Sequence, residues 1–137
     1  MTRARISAAL RREVRERARE RCEYCLLAES QDFFPHEPDH LIALKHHGET
    51  LSANLALACF ECNRLKGPNI ASLDPLTGEL VALFNPRTQN WSEHIQLNGG
   101  QIIPLTPTGR ATERLLGMNL PDRLKLRERR AVLGLYP

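Results

Sequence analysis

The four cysteines of this chain stand in two pairs, and within each pair two residues separate the cysteines. The first pair is Cys22 and Cys25, the second is Cys59 and Cys62, and 33 residues lie between the pairs. A Cys-x2-Cys turn points two thiolates at one position, and two such turns complete the tetrahedral shell of a structural zinc. Two redox dithiols, or four unrelated core cysteines, are the alternatives. The spacing favours zinc, and with four protein ligands this ion has no open position for water or substrate.

A second group of residues, between and just after the cysteine pairs, suits the hydrolysis of a phosphodiester. That reaction needs a base to deprotonate water and a cation to stabilise the charge that grows on the phosphoryl and leaving oxygens. His40 is a candidate base, because an imidazole titrates near neutral pH. Asp39 and Asn63 offer oxygen ligands that suit Mg²⁺ or Mn²⁺. Taken singly, each residue also has a structural interpretation, as a turn cap, a half-buried histidine or a helix cap.

The order of these residues resembles that of a known family. Asp39-His40, then Asn54-Leu55, then the pair at Cys59 followed by Asn63 and Lys66-Gly67 is similar to an HNH endonuclease of the ββα-metal class. The flanking cysteine pairs match the subgroup that carries a four-cysteine zinc site. The strongest resemblance covers residues 21–67. Further residues resemble the C-terminal extension of many small bacterial members, namely 74–78, 83–87, Trp91, His94 and 108–112.

The resemblance implies a metal-dependent endonuclease that hydrolyses DNA and leaves 5′-phosphate and 3′-hydroxyl ends. It implies that His40 is the general base and that Asp39 and Asn63 bind one divalent metal ion. Asn54 would be the middle residue of the motif, which holds the loop and orients the His40 ring. A further feature is His47, which stands beside Gly48 where many relatives carry a glycine.

Two other functions stay open beside the nuclease. Asn63 occupies a position that is His or Asn in the family, and Asn is the weaker metal ligand. A catalytically weak or inactive zinc-stapled module that binds nucleic acid is therefore the first alternative. A zinc scaffold that binds a protein partner, whose identity the sequence does not give, is the second.

The elements around these residues follow from local signals. Ser7 caps a predicted helix to about Glu20, and 39–44 and 55–58 are predicted to pair as strands. The loop between the strands contains Gly48, which is available for a positive φ. A helix is predicted over 60–66, ended by Gly67-Pro68. Because adjacent strand residues face opposite sides, Asp39 and His40 share a site only where the strand end twists.

The second half of the chain predicts further short elements: a turn over 74–78, a strand over 79–84, a hairpin of 91–97 with 101–105, a helix from Thr108 to Gly117, and a helix from Pro121 to about Leu133. The predicted fold class is α+β, with a small ββα-metal core, a structural four-cysteine zinc site, an N-terminal helix and a C-terminal extension of strands and helices. We predict one HNH nuclease domain over 1–137, divided into a basic helix (1–21), a zinc-stapled ββα core (22–67) and the extension (68–137).

The net charge of +3 is distributed unevenly along the chain. Residues 1–21 carry +5, residues 22–63 carry −6, and residues 64–137 carry +4. Basic segments attract phosphate backbones, although an Arg-rich helix is also common as a plain solvated face. The candidate DNA contacts are Arg64, Lys66, Arg87 and Arg110. Because no base-reading helix is evident and only 5% of residues are aromatic, we expect duplex DNA bound with low sequence specificity.

Composition excludes other classes of protein. Apolar residues make up 42% and charged residues 26% of the chain, which is ordinary for a globular protein. The longest apolar run, 55–60, is far shorter than the roughly 20 residues that span a bilayer. The first residues contain no apolar segment of the kind found in secretory signals. The sequence therefore predicts a soluble, cytoplasmic protein that does not associate with membranes.

Overall fold

Residues 5–137, the part of the chain that the computed structural model describes, form helices and three separate two-stranded antiparallel sheets. Residues 1–4 of the predicted basic helix lie outside this part. In chain order the elements are α1 (Ala8–Arg17), β1 (Glu37–His40), β2 (Leu55–Ala58), α2 (Phe60–Lys66), β3 (Ala71–Leu73), β4 (Leu80–Ala82), α3 (Trp91–His94), β5 (Ile95–Asn98), β6 (Gln101–Pro104), α4 (Pro107–Leu115) and α5 (Pro121–Val132). The predicted α+β class is confirmed.

Helix α1 begins where its cap predicts, because the hydroxyl of Ser7 accepts a hydrogen bond from the backbone N–H of Leu10 (3.1 Å). The predicted end near Glu20 is wrong, since the helix stops about one turn earlier. Arg19 and Glu20 have positive φ values of 54° and 59°, which turn the chain toward the first cysteine pair. The apolar face of α1 packs on β2 through Val14, which is fully buried.

Strands β1 and β2 form the hairpin at the centre of the fold, with Asp39 opposite Ala56 and His40 opposite Leu55. The bounds predicted for β2 are confirmed. Those predicted for the first strand are wrong: β1 begins earlier and ends at His40, because the chain then turns away into a short 3-10 helix over Leu44–His46.

Strand β2 is buried on both faces, which explains its unbroken apolar sequence. Leu55 and Leu57 pack against α1, whereas Ala56 and Ala58 face the core that contains the cysteines. This alternation follows from the two-residue period of a strand. The hairpin is therefore fixed between the N-terminal helix and the cysteine core.

Glycine is required at position 48 because the backbone of Ile42 approaches it closely, and not because its φ is positive. A Cβ atom at this position would lie 1.7 Å from the carbonyl oxygen of Ile42, so no other residue fits without a backbone shift. The positive φ that we predicted for Gly48 occurs at His47 instead, at 66°. The loop thus keeps a left-handed residue, but one position earlier than predicted.

The C-terminal extension contains the predicted turn over 74–78, where the N–H of Gly78 donates to the carbonyl of Asp74 (2.8 Å). It joins β3 to β4, and β4 is shorter than the strand predicted over 79–84. Strands β5 and β6 form the predicted hairpin, except that the segment predicted as its first residues is the short helix α3.

Two helices complete the extension. Helix α4 begins at Pro107, one residue before Thr108, because the cap is Thr106, whose hydroxyl accepts a hydrogen bond from the N–H of Gly109 (3.0 Å). Thr108 instead donates to the carbonyl of Ala82 (3.0 Å), which ties α4 to β4. Helix α5 begins at Pro121, as predicted.

The main core joins the cysteines to the extension. The buried residues of the extension that pack in the same cluster as the four cysteines are Phe84, Ile95, Ile102, Leu116, Met118 and Tyr136. The extension therefore covers the cysteine cluster. Within residues 5–137, the longest helices are too short and too polar to cross a bilayer.

Candidate active site and metal centre

The four cysteine sulfurs form one buried cluster, as their spacing predicts. All four Sγ atoms lie within 4.8 Å of one another, and the Sγ atoms of Cys25 and Cys59 are 3.7 Å apart. A tetrahedral zinc with bonds of about 2.3 Å requires sulfur–sulfur separations of roughly 3.8 Å. In each pair, the second cysteine donates its backbone N–H to the sulfur of the first at 3.4 Å, which fixes the turn. The cluster therefore gathers the four thiol ligands of a structural zinc, and its Cys25–Cys59 pair has the separation that such an ion requires.

Helix α5 places a cation against this cluster. The Nη2 atom of Arg123 lies 3.0 Å from the sulfur of Cys62 and 3.6 Å from that of Cys59. Its Nη1 atom donates to the carbonyl of Leu116, which fixes the guanidinium plane. Burial opposes the charge on Arg123, but the neighbouring sulfurs prevail and raise its pKa above the usual value. A zinc with four thiolates carries two negative charges, and Arg123 is positioned to offset part of them.

The predicted general base and the two predicted metal ligands line one pocket, whereas Asn54, the other residue predicted to take part in catalysis, is not among its lining residues. Asp39, His40 and Asn63 border a cavity of about 230 Å³, together with Gly67 and residues of the adjoining loop. His40 is the last residue of β1, and Asn63 lies in α2, the helix that follows β2. Because the strand ends at His40, adjacent residues meet at one site here despite the alternation of strand side chains.

Asp39 is held in the interior by two donors. Its side chain is 6% exposed, and its Oδ2 atom accepts from the Tyr24 hydroxyl at 2.9 Å and from the Lys66 ammonium at 3.0 Å. Burial raises the pKa of Asp39 above its usual range, and the charge of Lys66 offsets part of that shift. The carboxylate therefore forms an ion pair with Lys66, and the two donors fix its orientation.

Lys66 does not lie on the surface where a DNA phosphate could reach it. Its side chain is 2% exposed, and besides Asp39 it contacts the backbone carbonyl of His40 at 3.1 Å. It lies one helical turn after Cys62, on the face of α2 that packs inward. The structure thus corrects the predicted position of Lys66, from a phosphate contact to a buried partner of the pocket.

The ring of His40 is oriented by a residue that the sequence did not single out. Its Nε2 atom lies 2.9 Å from the hydroxyl of Thr50. Burial lowers the pKa of His40 below its usual value, and the neighbouring Asp39 offsets part of the shift. A histidine with this pKa stays neutral near pH 7, the form that accepts a proton.

Asn54 holds the loop, but its side chain forms no hydrogen bond with the His40 ring. Its Oδ1 atom accepts from the N–H of Ile42 (2.9 Å), and its Nδ2 atom donates to the carbonyls of Ile42 (3.0 Å) and Glu49 (2.8 Å). These bonds close the loop that carries Thr50. The predicted action on His40 is therefore indirect, through the loop.

The other predicted DNA contacts are paired with acidic residues. Arg64 pairs with Glu61 at 2.6 Å and keeps 55% of its side chain exposed. Arg87 pairs with Glu23, and its side chain is 14% exposed. Arg110 donates to both oxygens of Asp74, at 2.8 and 2.9 Å, and is 23% exposed. The three arginines thus differ, and Arg64 alone of them is mainly exposed and next to the pocket residue Asn63.

A comparison with protein families matches residues 22–69 to the family described as HNH endonuclease. The matched segment contains both cysteine pairs and the residues that line the pocket. Searches of curated proteins and of solved structures each found no match to the chain. The resemblance read from the residues is confirmed for this segment, and the chain therefore contains an HNH domain over residues 22–69.

Proposed function

We propose that this protein is a metal-dependent endonuclease that hydrolyses DNA phosphodiester bonds. The observation that supports the proposal is a pocket lined by Asp39, His40 and Asn63, residues that carry a carboxylate, an imidazole and an amide oxygen. The HNH domain supports nuclease activity in general. We further propose that the whole chain acts as one nuclease domain in the cytoplasm, with the extension supporting the zinc centre.

Each pocket residue has a role that fits its surroundings. His40 takes the proton of the attacking water, since its lowered pKa keeps the ring neutral and Thr50 fixes its orientation. Asp39 and Asn63 would hold one Mg²⁺ or Mn²⁺ through oxygen atoms, the ligands these ions prefer. Such an ion, when bound, supplies positive charge beside the phosphoryl and leaving oxygens. The expected products carry 5′-phosphate and 3′-hydroxyl ends.

For the substrate we propose duplex DNA bound with low sequence specificity. Arg64 is the favoured phosphate contact, because it follows Asn63 directly and keeps most of its side chain in solvent. Phosphate contacts orient a duplex without reading its bases. Binding should weaken as salt rises, since counterions are released when cations meet phosphates.

The test is the nicking of supercoiled plasmid in Mg²⁺ or Mn²⁺ by the wild type, His40→Ala and His46→Ala. His46 is a matched control, because it is an exposed histidine of the neighbouring loop. We expect His46→Ala to nick like the wild type and His40→Ala to lose about 100-fold or more, the usual contribution of a general base. Equal nicking by the wild type and His40→Ala contradicts the assignment.

A specific contact favours the alternative of a weak or inactive nucleic-acid-binding module. The Lys66 ammonium, 3.0 Å from Asp39, already compensates the carboxylate charge that a metal needs. Salt-sensitive DNA binding by both the wild type and His40→Ala, without cleavage, would support that module. Absence of DNA binding at low salt would leave a zinc scaffold that binds protein.

A further inference from the structure

Resting on the proposed function, we propose that Tyr24 is a positioning residue that couples the cysteine cluster to the metal-binding carboxylate of Asp39. The carboxylate and the cluster belong to different sites, one in the pocket and one in the core. The buried side chain of Tyr24 connects them.

Tyr24 lies inside the first cysteine pair, between Cys22 and Cys25, and its side chain is fully buried. Its hydroxyl donates to the Oδ2 atom of Asp39 at 2.9 Å. Its backbone carbonyl accepts from the indole N–H of Trp91 at 2.8 Å. The tyrosine is therefore fixed at both ends, and the turn that directs two sulfurs to the zinc position also sets the position of the hydroxyl.

The helix that carries the second cysteine pair supplies the other donor to the same carboxylate oxygen. Cys59 caps α2, Cys62 lies in it, and Lys66 follows one turn later with its ammonium 3.0 Å from Oδ2 of Asp39. Both donors thus come from segments that the four sulfurs bring together. When the cluster is closed, the hydroxyl and the ammonium meet at one oxygen.

In this arrangement, the two carboxylate oxygens of Asp39 have different roles. Oδ2 is engaged by the two internal donors, so Oδ1 is the oxygen that we expect an ion to contact. Fixing the direction of a ligand before the metal arrives strengthens binding, and loss of such a supporting contact usually costs 10- to 100-fold in affinity. The hydroxyl of Tyr24 therefore acts on metal affinity through Asp39, without touching metal or substrate.

The experiment compares Tyr24→Phe with Tyr136→Phe in the zinc-loaded full chain. Tyr136 is a close match, because its buried hydroxyl donates to the carbonyl of Cys25 in the same turn (2.6 Å) but does not contact Asp39. The direct readout is Mn²⁺ binding without DNA, by calorimetry or by the Mn²⁺ electron paramagnetic resonance signal, with Asp39→Ala to define binding at the pocket. Zinc content is measured on every variant.

We expect Tyr24→Phe to weaken Mn²⁺ binding about tenfold, with zinc content unchanged and Tyr136→Phe like the wild type. In plasmid nicking, the Mn²⁺ concentration for half-maximal rate should rise by the same factor, and the rate at saturating Mn²⁺ should change little. Should Tyr24→Phe lose zinc, the same Mn²⁺ measurement is made after zinc has been added back, at a zinc content equal to that of the wild type.

Unchanged Mn²⁺ affinity in Tyr24→Phe overturns the inference, whatever the plasmid assay gives. Absence of Asp39-dependent Mn²⁺ binding in the wild type overturns it as well. A wild type that binds Mn²⁺ at Asp39 but does not nick DNA contradicts the proposed function alone, and the affinity of Tyr24→Phe still decides the role of Tyr24.

Discussion

The orientation of His40 depends on one hydroxyl in a neighbouring loop. Thr50 contacts Nε2 of the ring at 2.9 Å, and Asn54 holds the loop closed through three hydrogen bonds with the backbone. A histidine that is free to rotate spends less time with its other nitrogen toward the pocket. The orientation of the His40 ring is thus set by the surrounding loop.

Thr50→Val should lower the nicking rate about tenfold, because the valine keeps the shape and removes the contact with the ring. This loss is smaller than that expected for removing a general base, which contributes roughly 10²- to 10⁴-fold. Thr50→Ser keeps the hydroxyl and should retain most of the rate. Plasmid nicking at saturating metal measures both, and equal rates for the valine and serine variants would argue against this role.

At the scale of elements, the extension and the core meet at the cysteine cluster, where α5 brings Arg123 to the sulfurs of Cys59 and Cys62. The positive charge and the hydrogen bonds stabilise thiolates that bind a metal.

The chain should carry about one zinc per molecule, which metal analysis would measure. A zinc content near zero would contradict the site.

Arg123→Met should release zinc to a chelator about tenfold faster than the wild type, since the thiolates lose their cationic neighbour. Arg129→Met, which removes an exposed arginine from the same helix, is the control and should behave like the wild type. Zinc release is followed with a chromogenic chelator. Identical rates for the two variants would mean that Arg123 does not stabilise the centre.

The loop between β1 and β2 depends on Gly48, where a Cβ atom would lie 1.7 Å from the backbone of Ile42. Gly48→Ala should lower the free energy of unfolding by about 2 kcal/mol or more, because the backbone has to move. Gly78→Ala is the comparison: its φ is 75° and no neighbour lies within 4 Å, so it should cost only about 1 kcal/mol. Chemical denaturation measures both, and an equal cost would contradict the close approach.

Over the whole molecule, the oppositely charged segments of the sequence pair with one another. Arginines of α1 bond to acids of the central segment, in the pairs Arg11–Glu37 and Arg15–Glu29. In the extension, Arg110 bonds to Asp74 and joins the β3–β4 turn to α4. Part of the basic charge of the sequence is therefore paired with acidic residues within the fold.

The stability of this fold should fall in acid through Asp74. Hydrogen bonds from Arg110 lower the pKa of Asp74 well below its usual range. The folded carboxyl then binds a proton less readily than the unfolded one, so its stabilisation is complete above the ordinary pKa of about 3.9 and is lost as the pH falls below it. The gap in melting temperature between the wild type and Asp74→Asn should be largest near pH 6 and shrink toward pH 2. A gap that does not change with pH would contradict this assignment.

The sequence by itself determined the features that depend on local spacing. The two cysteine pairs, the bounds of β2 and α2, and the cap of α1 at Ser7 all follow from patterns within a few residues, where sterics and hydrogen bonding act locally. Only the tertiary structure decided which distant side chains meet. Tyr24 and Lys66 contact Asp39, and Thr50 contacts His40, each from a different segment of the chain. Such contacts arise from packing of the whole core, which no short pattern encodes.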